Sequence, residues 1–133
     1  MEFISHEGMN YAIIIRANFV HDKIWFPTSP STSMQVGYLP HKKGSKIEPH
    51  FHLSNKRLIH DTLEVLFVRK GEVRVDFYDR SNEFALNVVL FANDTILLLD
   101  GGHGFEMLEN TELIEVKQGP YNEVEDKVRF KGV

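Results

Sequence analysis

Apolar residues along this chain come in short bursts, each closed by glycine, proline, asparagine or aspartate. Tyr11-Ala12-Ile13-Ile14-Ile15 is the first, bounded by Gly8 and Asn18. A loop rich in Pro27, Ser29, Pro30, Ser31 and Ser33 follows. Further bursts lie at Met34–Leu39, Ile47–Leu53, Leu63–Val68, Glu72–Tyr78, Phe84–Phe91, Thr95–Leu99 and Thr111–Lys117. β-Branched and aromatic residues dominate them, and such residues suit a pleated, half-buried surface. Arg69-Lys70-Gly71 sits between two bursts and predicts a tight hairpin, with Gly71 free to take positive φ. Ala92-Asn93-Asp94 predicts a turn. No window carries the i, i+3, i+4, i+7 apolar spacing of an amphipathic helix. Roughly eight to ten strands, spaced about 8–12 residues apart, predict one all-β domain over residues 1–133, a barrel or sandwich. The charged stretch Asn122–Lys131 reads as a surface strand, a short helix or a frayed end.

Composition removes several function classes. A chain of 133 residues is long enough for one real core, and 42% hydrophobic with 26% charged residues is ordinary for a globular domain. The formal net charge is −4, and basic residues gather in no block longer than a pair such as Lys42-Lys43 or Lys56-Arg57. A basic stripe for nucleic acid or an anionic membrane is missing. No segment approaches the length of a membrane span. The N-terminus lacks the basic-then-apolar pattern of a leader, which leaves a cytoplasmic protein as the expectation. With no cysteine, thiolate metal sites and disulfides are excluded, so nitrogen and oxygen must hold any metal.

Candidate chemistry centres on His50 and His52 in Gly44-Ser45-Lys46-Ile47-Glu48-Pro49-His50-Phe51-His52. In an extended strand, residues i and i+2 share a face and lie about 6–7 Å apart. Two neutral imidazoles converging on one spot make half of a divalent-metal site. Glu64, at the head of Glu64-Val65-Leu66-Phe67-Val68, and His103, after Asp100-Gly101-Gly102, are candidates for the other half. The competing readings are backbone-bonded histidines and a solvent-facing glutamate. His60 is a further possible ligand or a surface residue.

Gly44, then five residues to His50-Phe51-His52, and later Glu64 with six residues to Gly71, resembles the first signature of the cupin superfamily. Asp94 to His103, with Gly101-Gly102 before the histidine, resembles the second. The resemblance covers about residues 35–117. It implies a double-stranded β-helix, the cupin jelly-roll barrel. It also implies one divalent transition ion (Fe, Mn, Ni, Co, Cu or Zn) on His50, His52, Glu64 and His103. The sequence departs from the pattern in two ways. Eleven residues separate His52 from Glu64 where the signature has three or four, which reads as an inserted loop, Ser54–Thr62. Met107 and Leu98 replace the usual asparagine and proline of the second motif. The chain also looks like small cupins associated with bacterial surface-polysaccharide biosynthesis.

Other candidates follow from strand alternation. If Ile114 and Val116 pack on one face of the last strand, Glu115 and Lys117 lie on the other. Lys117 would then line the barrel as an anion anchor or acid/base, with Tyr121 nearby as a second proton carrier. An exposed Glu–Lys pair is the competing reading. Arg57 in the inserted loop either clamps a substrate anion or is a free surface residue. Three functions compete. One is a metal-dependent enzyme on a small anionic sugar or carbonyl compound, an isomerase, epimerase or dioxygenase. The second is a metal-independent sugar-nucleotide ketoisomerase. The third is a non-catalytic module for a small ligand. A homodimer is expected, with Tyr11–Ile15 pairing across subunits.

Overall fold

Alternation of inward and outward residues builds eight strands in the computed structural model, which describes residues 1–122 and 126–133. They are β1 (Glu2–His6), β2 (Met9–Ile15), β3 (Glu64–Lys70), β4 (Glu72–Tyr78), β5 (Phe84–Phe91), β6 (Thr95–Leu98), β7 (Gly102–Met107) and β8 (Glu112–Lys117). The described residues contain no helix, and so none long and apolar enough to cross a membrane. The all-β expectation holds. Contacts divide the chain into a strand-bearing unit, residues 1–19 and 62–133, and a second unit, residues 20–61.

In the strand-bearing unit every pairing is antiparallel, in a five-stranded sheet ordered β1-β2-β6-β3-β8 and a three-stranded sheet ordered β5-β4-β7. The two sheets share one core. Ala12, Ile14, Leu66, Val68, Ile96 and Leu98 come from the first, and Val73, Val75, Phe77 and Leu90 from the second. Each supplies alternate residues of its strand, as a sandwich requires. A register shift between Ile4 and Ser5 lets Tyr11 join this core as well, its ring 5.4 Å from that of Phe77.

Asp94 clasps the sheet at the end remote from the site described below. It is 2% exposed, and its carboxylate accepts hydrogen bonds from Ala17 N (2.8 Å), Phe91 N (3.0 Å) and the Arg16 guanidinium (2.8 Å). Arg16 also donates to Val89 O and to Glu2 on β1. A buried carboxylate is tolerable only with partners of this kind.

Several expectations need correction. Gly71 does adopt φ +88°, but β3 and β4 lie in different sheets, so Arg69-Lys70-Gly71 is a crossover and not a hairpin. Glycine is needed there because a Cβ would stand 2.5 Å from Thr111 Oγ1 and 2.6 Å from Asn110 O. β2 pairs with β1 on one side and β6 on the other, so Tyr11–Ile15 has no free edge to offer a second subunit. Ile47–Leu53 is not a strand, and Met34–Leu39 contributes only the isolated bridge Trp25–Tyr38. β1 and β7 were unforeseen, since glycines and charged residues mask their alternation. Of the stretch Asn122–Lys131, residues 123–125 lie outside the described residues, and the rest forms no strand.

The second unit is held by side-chain bonds within its loops. Thr28, 6% exposed, donates to Gln35 Oε1 at 2.7 Å, while Gln35 Nε2 donates to Ser29 O and Thr32 O. Gly37 lies against the Phe26 ring, where a Cβ would come within 2.5 Å. Residues 41–61 are exposed throughout.

Candidate functional site

Cross-strand partners share a face, so the register of the ladders sets what points inward. On β3, Glu64 is on the same face as the core residues Leu66 and Val68. On β8 its partner is Lys117, and Leu66 is opposite Glu115. On β7, His103 pairs with the core residue Phe77, and Phe105 with Val75. One end of the interior between the sheets therefore turns from apolar to charged. Leu63 N donates to Gln118 Oε1 at 2.7 Å, which ties the entry of β3 to the exit of β8 beside the site.

At this end Glu64 Oε2 and His103 Nε2 are 3.2 Å apart, with the glutamate side chain 14% exposed. Lys117 Nζ is 3.9 Å from Glu64 Oε1, 3.5 Å from Glu115 Oε1 and 3.3 Å from Asp126 Oδ2. The Tyr121 ring, itself mostly exposed, lies with its centroid 5.0 Å from the same Nζ. A cavity of about 590 Å³ opens here, lined by Glu64, His103, Phe105, Glu115 and Tyr78 from the strands and by residues 126–130 and 132.

The hydrogen bond from His103 holds the Glu64 carboxyl below its ordinary value. Burial opposes that shift, and the charges of His103 and Lys117 reinforce it. The Lys117 ammonium is held above its ordinary value, chiefly by its bond to Asp126 and against a desolvation penalty, with the charge of Glu115 adding to the effect. Glu64 is thus an ionised acceptor and Lys117 a cation.

The expected site residues fall into two groups. Glu64, His103 and Lys117 are gathered at one end of the sandwich interior, with Tyr121 at its margin. His50, His52 and Arg57 belong to the second unit and are exposed there. Although not on a strand, His50 and His52 still meet, their rings 5.3 Å apart and edge-to-face. His50 Nδ1 contacts Glu48 O at 2.9 Å. Among the described residues no group of three or more histidine, aspartate and glutamate side chains stands ready to hold a metal.

The donor chemistry of the Glu64–His103 pair nonetheless fits a divalent ion. Two ligands at adjacent positions, each about 2.1 Å from the metal, stand about 3.0 Å apart, close to the 3.2 Å observed. Asp126 escaped the sequence reading because nothing in its spacing connects it to Lys117. Glu115 was signalled only through its alternation with Lys117. No family model, curated protein or solved structure matches the chain.

Proposed function

We propose that the protein is a cytoplasmic metal-binding cupin, and that its two sheets are those of a double-stranded β-helix. In this reading one divalent transition ion is held by Glu64 and His103 together with His50 and His52, and the protein is an enzyme acting on a small anionic sugar or carbonyl compound. Isomerisation or epimerisation is the reaction type favoured. The observation that carries the reading is the Glu64–His103 pair, set inward on two different sheets beside a cavity of metabolite size. His50 and His52 enter on the strength of their spacing from Gly44 and from each other. Three imidazoles and one carboxylate suit ions from manganese to zinc.

When bound, such an ion polarises a carbonyl oxygen. The chain's own residues supply the rest. Lys117 holds an anionic group or moves a proton, the Tyr121 ring flanks its ammonium, and Arg57 offers a second cation from the loop. A metal-free binding module is the second reading. It is favoured by the direct contact of His103 with Glu64, which satisfies both groups without an ion. We propose a homodimer as the assembled form.

Metal analysis decides between these readings. Purified protein titrated with Co²⁺ is expected to bind about one ion per chain, with His103→Ala and His50→Ala/His52→Ala each losing it. Full metal occupancy in both variants would remove the site. Loss in His103→Ala alone would confine it to the strand-bearing unit.

A further inference from the structure

β8 is an edge of the five-stranded sheet, and among the described residues it pairs only with β3. The other sheet edges are blunted. β1 shifts register between Ile4 and Ser5, a second shift interrupts β5 beside Phe77 and Tyr78, and β7 carries Gly102 and Gly104. From Leu113 to Lys117 the β8 ladder runs without a shift. Its outer face is apolar. Ile114 and Val116, 47% and 56% exposed, stand beside the half-buried Phe67 and Val65 of β3. A regular apolar edge is a template for a further strand unless charges guard it. Here the guards are Glu115 and Lys117 on the inner face, and they decide which strand fits.

A second copy of the same strand meets their requirement. Two β8 strands related by a twofold axis keep their faces matched only if the axis passes through a residue, because a one-residue slip exchanges the faces. An axis at Glu112, Glu115 or Lys117 sets that residue against its own like charge. An axis at Leu113 opposes Glu112 to Ile114, and one at Ile114 opposes Glu115 to Leu113. Only an axis at Val116 sets Glu115 opposite the partner's Lys117, twice by symmetry, with Val116 against the partner's Val116. The Glu115 side chain is 45% exposed and so is open to a cation from outside the chain. We propose that the protein dimerises by antiparallel β8–β8 pairing about Val116, which joins the two five-stranded sheets into one. The inference rests on the homodimer reading above and supplies the free edge that β2 lacks.

The chain has no cysteine, so a single introduced thiol reports on its own surroundings. Opposed residues of an antiparallel pair have Cα atoms about 4.5–5.5 Å apart, within the roughly 4.4–6.8 Å that a disulfide spans. Val116→Cys and Phe3→Cys, each in the full chain, are incubated at micromolar concentration with oxidised glutathione. Phe3 is 58% exposed and lies in the same cross-strand row at the far edge of the sheet. Val116→Cys should form the disulfide-linked dimer at least about tenfold faster than Phe3→Cys. Glu115→Lys sets two pairs of ammonium groups opposite each other and should weaken the dimer about tenfold in sedimentation equilibrium. Glu112→Lys, on the same strand but outside the charge pairs, should change it less than about threefold. Wild type should be a dimer by light scattering at micromolar concentration, and a monomer overturns both this inference and the homodimer reading. A dimer in which Val116→Cys crosslinks no faster than Phe3→Cys overturns the β8 interface alone. So does a Glu115→Lys dimer no weaker than that of Glu112→Lys.

Discussion

His103 and the pair His50/His52 are the same chemistry in two settings. His103 lies on β7, where pairing with Phe77 aims its ring between the sheets and onto Glu64. His50 and His52 lie in an exposed stretch without a ladder, and their nearest ring partner is each other. A ladder transmits direction, because every residue inherits its face from its cross-strand neighbour. A loop transmits only proximity along the chain. Tight local spacing thus produced a histidine pair in the loop, but only the ladder gave a histidine a charged partner about forty positions away in the sequence.

The contrast can be tested first through stability. Phe77, fully buried between the sheets, should cost about 3–5 kcal/mol when replaced by alanine. Phe51, 84% exposed beside His50, should change stability by less than about 0.5 kcal/mol in the same exchange. Urea unfolding of the two variants measures the difference, and equal costs would break the comparison.

Asp94→Ala comes next. It strips a buried carboxylate from three donors, and unfolding should become easier by about 2–4 kcal/mol. A cost below about 1 kcal/mol would mean that Arg16 and the two amides find other partners. His103→Ala in metal-free protein should cost about 1 kcal/mol, because Glu64 loses its principal donor. His52→Ala should cost nothing measurable, which sharpens the same contrast at the level of single imidazoles.

The smallest effect is a pH dependence. The hydrogen bond from Arg16 lowers the Glu2 carboxyl below its ordinary value of 4.5; partial burial opposes the shift and the guanidinium charge adds to it. A group with a depressed folded value stabilises the protein above its unfolded value. That contribution is lost as pH falls through the folded one. Stability should therefore decline below about pH 4.5, by less than about 1 kcal/mol for this half-exposed pair. The component due to Glu2 should vanish in Glu2→Gln, as thermal unfolding at a series of pH values would show.

How much of this was legible in the sequence differs from element to element. Glu72–Tyr78 and Phe84–Phe91 match β4 and β5 residue for residue, since uninterrupted β-branched and aromatic runs leave little else for the backbone to do. Alternation also placed Glu115 and Lys117 together on the face opposite Ile114 and Val116, as the ladder with β3 has them, but Ile114 and Val116 are exposed where they were expected to pack. β7 could not be read, because Gly102-His103-Gly104 looks like a turn until Tyr78 and Phe77 pair with it. Ile47–Leu53 alternates well and still forms no strand, because alternation states which face a residue would take and supplies no partner strand.

By itself, then, the sequence determined the all-β class, the full extent of β4 and β5, the approximate place of β2, β3, β6 and β8, and the absence of thiolate chemistry. These depend on local propensity and on the period-two direction of side chains, both of which act over a few residues. Only the tertiary structure decided that Gly71 crosses between sheets, that Glu64 meets His103, and that Asp126 comes to Lys117. Those outcomes rest on which strands pair and which turns reach across an open end. Such choices are set by burial summed over the whole core, which no window of sequence contains.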